Sequence, residues 1–134
     1  MSAKENTSRQ RTVAVIDVGT TSVRMAIAEI SPAGIIQILE HLSQAVNLGK
    51  DTFTRGRIHR DTIEECAQVL KSYQQILGEY GIQSPDDLRV VATSAVREAP
   101  NGRDFLQVIK DELGLEVDLV SGPEEARLIY LGVL

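Results

Sequence analysis

The chain has 134 residues, 43% hydrophobic and 25% charged, with a formal net charge of -5, a length and balance that suit one hydrophobic core and exclude two comfortable domains, a fibrous class or wholesale disorder. The acidic balance argues against a nucleic-acid partner, and no apolar run approaches the roughly 18 residues of a membrane span. Residues 1–11 read as a polar, flexible tail rather than a secretory segment, so a cytoplasmic address without a membrane partner is the expectation, with residues 12–134 forming the folded domain.

The first predicted strand covers 12–18. Val13, Ala14, Val15, Ile16 and Val18 are apolar on both faces, so Asp17 sits where an ionised carboxylate costs several kcal/mol unless a metal ion, a cation or convergent N–H groups pair with it. Gly19 permits positive φ and close backbone approach. The hydroxyls of Thr20, Thr21 and Ser22 and the N–H groups of the turn can ring an anion. The alternative is an ordinary hairpin whose Asp and Thr side chains satisfy only their own turn.

Strands at 22–30 and 35–46, joined through turns at 19–21 and 31–34, complete an antiparallel meander. A polar loop at 49–56 leads into a helix over 61–80. Ile63, Cys66, Ala67, Leu70, Tyr73, Leu77 and Tyr80 repeat there with the helical period, Asp61 and Glu64 offer an N-terminal cap, and Gly81 is the stop. Cys66 is the single cysteine, which leaves no internal disulfide or cysteine zinc site and reads as a small core residue. His41 and His59 are too far apart to form a local ligand pair.

An apolar strand at 88–92 after the helix implies a βαβ crossover and a parallel neighbour, making the sheet mixed. A second helix at 101–113 ends at Gly114, a fifth strand follows at 115–120, and Ser121-Gly122-Pro123-Glu124 opens a last helix with a capping-box pattern. The string is βββαβαβα. Its last helix runs apolar to Leu134, the pattern of a fragment whose continuation has been removed.

Two further segments follow strand ends, where open sheets form ligand crevices. In Thr93-Ser94-Ala95-Val96-Arg97-Glu98-Ala99, Arg97 can fork onto phosphate oxygens, or it can be a solvated loop arginine. In Ser121-Gly122-Pro123-Glu124-Glu125-Ala126-Arg127, acids in a helix's first turn are favoured by the dipole alone. With Ser121 as N-cap, Glu124 is consumed by capping and Glu125 is free; with Gly122 as N-cap, the roles exchange. No P-loop or Rossmann glycine fingerprint occurs.

Together, Asp17-Val18-Gly19-Thr20-Thr21-Ser22-Val23-Arg24, the 93–99 segment, and Ser121-Gly122-Pro123-Glu124-Glu125-Ala126-Arg127-Leu128-Ile129-Tyr130-Leu131-Gly132-Val133 resemble the exopolyphosphatase and guanosine pentaphosphate phosphohydrolase family, in order and spacing. The resemblance implies the α/β ribonuclease-H-like fold of the actin, sugar-kinase and hsp70 group, with a mixed five-stranded sheet and helices on both faces, as the N-terminal domain of a two-domain protein. It implies that Gly19, Thr20, Thr21 and Ser22 bind phosphate, that Arg24 and Arg97 add positive field, that Asp17 acts through Mg²⁺ or another divalent cation, and that Glu125 is the catalytic base. The implied partners are polyphosphate or guanosine pentaphosphate and the chain's own second domain, with a homodimer left open.

Two departures from the family pattern stand out. Thr21 replaces a common Asn, and the family's second phosphate loop, Asp-x-Gly-Gly-Gly-Ser, would fall beyond Leu134, so the chain alone is expected to be inactive. Competing readings are a non-catalytic polyphosphate or alarmone sensor and a relative of the sugar and acetate kinases, which share an Asp-x-Gly-Thr opening but not the Ser-Gly-x-Glu-Glu-Ala-Arg run.

Overall fold

Side chains alternate between the two faces of a strand, and the first two strands divide cleanly. The computed structural model describes residues 10–121; the rest of the 1–11 tail and the helix expected from Gly122 onward lie outside the described residues. Strand β1 (Arg11–Val18) turns Ala14, Ile16 and Val18 to one face, where β2 (Ser22–Ile30) adds Val23, Met25 and Ile27. Asp17 falls on the opposite face with Val15, Ala26 and Val91, all of them buried.

The sheet is the expected mixed one. β2 pairs antiparallel with both β1 and β3 (Ile36–Ala45), while β4 (Leu88–Ala92) lies parallel to β1 and β5 (Val117–Leu119) parallel to β4, giving the order β3-β2-β1-β4-β5. On the edge strand the pairing slips: Ala28 faces Ile38 and Ile27 faces Glu40, so Leu39 is an extra residue.

Helix α1 (Arg60–Glu79) makes the crossover from β3 to β4 and buries the stripe read from the periodicity from Ile63 to Leu77, whereas Tyr80 falls at its end, half-buried, with its hydroxyl donating to Glu40 at 3.1 Å. Cys66, Leu70, Tyr73 and Leu77 pack with Phe105 and Ile109 of a later helix, Gly102–Leu113, on the face of Ile16 and Met25. The Tyr73 hydroxyl donates to the buried carbonyl of Val23 at 2.7 Å, so the polar end of this ring is satisfied. Burial, with a lesser push from the Glu65 charge, raises the Cys66 thiol to about 12, which fits a packing residue and not a nucleophile. Among the described residues both long helices cover this one face; the second-face cover in the expected architecture falls on the residues outside.

The start of α1 corrects the sequence reading. Asp61 and Glu64 do not cap it: His59 holds the N-cap position with no side-chain bond, and Glu64 pairs instead with Arg60 at 3.3 Å. The cap is supplied from a distance. The expected polar loop at 49–56 contains a π-helical turn, Lys50–Thr54, that buries Asp51 and Thr52. Asp51 Oδ2 accepts the His59 N–H at 2.8 Å, its carboxylate also takes the Thr62 hydroxyl, and its carbonyl accepts from the N–H groups of Arg55 and Arg57.

Burial alone would raise the Asp51 carboxyl, but the bonds from Thr62 and His59 and the charges of His59 and Arg55 outweigh it and hold the group below its ordinary 3.8. A carboxyl lowered on folding contributes stability that is present above its unfolded value and lost as pH falls through the folded one. Asp51→Asn is therefore expected to cost about 1–3 kcal/mol in urea unfolding at neutral pH. The gap from the parent chain should close as the titration is carried below about pH 4.

Candidate functional site

Because β1, β4 and β5 are parallel neighbours, their carboxyl ends share one edge of the sheet. The Thr93 N–H donates to the Val18 carbonyl at 3.3 Å and the Val120 N–H to the Ala92 carbonyl at 2.9 Å, so the three segments that follow these strands stand side by side. The turn at 19–22, the 93–97 segment and the 120–121 junction, far apart in sequence, thus meet along a single crest. An open sheet places ligand crevices at this end.

Asp17, the penultimate residue of β1, is wholly buried. Arg24, opposite it in register on β2, donates from Nη2 to Oδ2 at 2.5 Å. Oδ1 is buried with no hydrogen-bond partner among the described residues. The demand read from the sequence, that a strand-end acid in this position needs a cation, is met by an arginine through one oxygen and left open at the other.

The turn is held from both ends. The Gly19 N–H is consumed by the Ser22 carbonyl at 2.9 Å, so this donor is withdrawn from the anion ring expected of the loop. The carbonyls of Thr20 and Thr21 accept from the N–H groups of Gly49 (2.8 Å) and Val46 (3.2 Å). Among the described residues, no protein acceptor takes the Thr20 and Thr21 N–H groups or the hydroxyls of Thr20, Thr21 and Ser22. Donors with no protein partner beside a buried carboxylate are what an anion with its counter-cation requires.

Thr93 and Ser94 lead into α2 (Ser94–Arg97), a single helical turn where a loop was expected. The Arg97 guanidinium donates from Nη1 to the Val120 carbonyl at 2.6 Å, bracing the ends of β4 and β5 against each other while the side chain stays largely exposed. It is thus fixed at the crest rather than free in solvent. α3 (Gly102–Leu113) follows. Glu124 and Glu125 lie outside the described residues, as does the choice of register between them.

Sequence reasoning missed the bracing. The Thr52 hydroxyl donates to the Ala95 carbonyl at 2.6 Å, and the Asn101 amide both accepts from the Ile58 N–H (3.0 Å) and donates to the Ile58 carbonyl (2.7 Å). Two glycines allow backbone contact: a Cβ at Gly49 would lie 2.2 Å from Thr20 Cγ2, and one at Gly102 would lie 2.2 Å from the Val96 carbonyl oxygen. None of these residues belongs to a periodic stripe or a ligand spacing, and the only signal was a polar, glycine-containing loop with no evident duty.

A divalent cation fits these residues through the Asp17 carboxylate, whose Oδ1 lacks a partner among the described residues. Among the described residues no three His, Cys, Asp or Glu side chains converge as a protein-built metal cage. Such a site suits an ion that keeps water and shares substrate phosphates, as Mg²⁺ does. Among the described residues no helix is long and apolar enough to cross a membrane.

Comparison with known proteins agrees with the geometry. Residues 26–134 match the sequence profile of the Ppx/GppA phosphatase family. The crystal structure of the Aquifex aeolicus family member is similar at 37% identity and a TM-score of 0.82, over 92% of this chain and 39% of that one. An exopolyphosphatase from Cytophaga hutchinsonii is 31% identical with a TM-score of 0.80, over 92% of this chain and 38% of its own. A nucleoside triphosphate hydrolase from Neospora caninum, at 14% identity and a TM-score of 0.50, shares the fold alone. The chain spans about two-fifths of the length of the first two structures.

Proposed function

The chain belongs to the Ppx/GppA phosphatase family, with that family's actin-like fold, and from this premise we propose that it forms one wall of a site hydrolysing the terminal phosphoanhydride of polyphosphate or guanosine pentaphosphate. The observation that carries the reading is the crest itself. It sets a buried carboxylate, one oxygen of which has no partner among the described residues, beside a turn where the Thr20 and Thr21 N–H groups and the hydroxyls of Thr20, Thr21 and Ser22 have no protein acceptor among those residues.

In this mechanism the Thr20 and Thr21 N–H groups and the hydroxyls of Thr20, Thr21 and Ser22 hold phosphoryl oxygens, and Arg97 adds a fixed positive charge at the next strand end. Asp17 would hold Mg²⁺, which when bound supplies positive charge to the phosphoryl oxygens. Glu125 takes a proton from water as the water oxygen attacks the terminal phosphorus in line. The bridging P–O bond breaks and its electron pair leaves with the shortened chain. The opposite wall, with the second phosphate clamp, belongs to the proposed second domain.

The test is to follow backbone amide resonances of the 134-residue chain while adding inorganic phosphate or short polyphosphate with Mg²⁺. Shifts centred on 19–22, weaker ones at 93–97, and an affinity no tighter than about millimolar are expected, because tight binding to polyphosphate needs clamps on both sides. Asp17→Ala should abolish them. Shifts confined to the basic stretch at 55–60 would mean nonspecific attraction and would end this reading.

A further inference from the structure

Asp17 presents its two oxygens unequally. The antiparallel register sets Arg24 directly across from it, and the guanidinium takes Oδ2 at 2.5 Å, while Oδ1 has no partner among the described residues. The carboxylate is fully buried and the arginine side chain only 36% exposed, so the pair is a fixture of the sheet rather than a passing surface contact. Gly19 flanks the same oxygen, its Cβ position lying 3.9 Å from Oδ2. Oδ2 is therefore enclosed by an arginine and the turn.

Resting on the phosphate-site reading above, we infer that Arg24 sets the ion preference of the site by making Asp17 a one-oxygen ligand. Ca²⁺ collects about six to eight oxygens and gains from a carboxylate gripping through both of its own; Mg²⁺ is smaller, keeps its waters and is satisfied by one carboxylate oxygen. With Oδ2 held by the guanidinium, the two-oxygen grip is closed. Arg24 is thus a positioning residue that favours Mg²⁺ over Ca²⁺ without touching the ion.

The experiment titrates the isotopically labelled chain with MgCl₂ and, separately, CaCl₂, reading the amide resonances of residues 19–22, with circular dichroism as the folding check. The parent chain should respond to Mg²⁺ at concentrations at least about tenfold below those needed for Ca²⁺. In Arg24→Ala, with both oxygens released, the two ions should become about equal, whereas Arg24→Lys should keep the Mg²⁺ preference because an ammonium still holds Oδ2. Equal responses in the parent chain, or an unchanged ratio in folded Arg24→Ala, would overturn the inference. If Arg24→Ala does not fold, the parent ratio and Arg24→Lys decide. Silence to both ions in the parent chain also overturns it, yet leaves the phosphate site standing wherever inorganic phosphate alone still moves those resonances.

Discussion

Where this chain is joined to its proposed second domain, replacing Glu125 by Gln is expected to lower kcat by about 10² to 10⁴ with little change in KM, the signature of a lost general base rather than lost binding. The amide keeps the size and polarity of the carboxylate but cannot accept the proton of the attacking water, so substrate still docks on the 19–22 turn while chemistry stalls. Glu124→Gln should act differently. In the register with Ser121 as N-cap, its carboxylate closes a capping box, and the change should cost about 1 kcal/mol or less of stability and leave kcat alone. Phosphate release under saturating substrate, beside urea unfolding of both variants, separates the two roles. The reverse pattern would assign the N-cap to Gly122 and the chemistry to Glu124.

Gly102→Ala is expected to be the most damaging small substitution within the described residues, at about 3 kcal/mol or more. Its Cβ would stand 2.2 Å from the Val96 carbonyl oxygen, a backbone atom of the helical turn that carries Arg97, and neither partner has a rotamer to yield. Relief requires α3 to move away from 94–97, which pulls on the Arg97–Val120 bond at the crest. Gly49→Ala offers the contrast. The 2.2 Å contact there is with the Thr20 γ-methyl, so pairing it with Thr20→Ser should recover much of the loss in thermal unfolding. A Gly102→Ala chain that melts like its parent would show that the α2–α3 junction has slack not evident in its packing.

The residues of the proposed phosphate site differ in how far the sequence alone announced them. The apolar alternation of β1 and β2, the helical stripe from Ile63 to Leu77, and the helix stop at Gly114 follow from local periodicity and turn chemistry, so the mixed sheet and its main core stripe were readable. Asp17 was also readable, because a charge inside a doubly apolar strand has to be compensated wherever the strand ends up. What compensates it was not. Arg24 reaches Oδ2 only because the hairpin register sets residue 17 opposite residue 24, and Arg97 turns to Val120 only because β4 and β5 lie side by side. Asp51 read as a polar loop residue until the fold buried it beneath the start of α1, where it took the capping duty assigned to Asp61 and Glu64. Periodicity records which face of its own element a residue occupies. Partners brought in from 43 residues away, as Ala95 is to Thr52 and Asn101 to Ile58, depend on the packing of whole elements, and only the tertiary structure decides them.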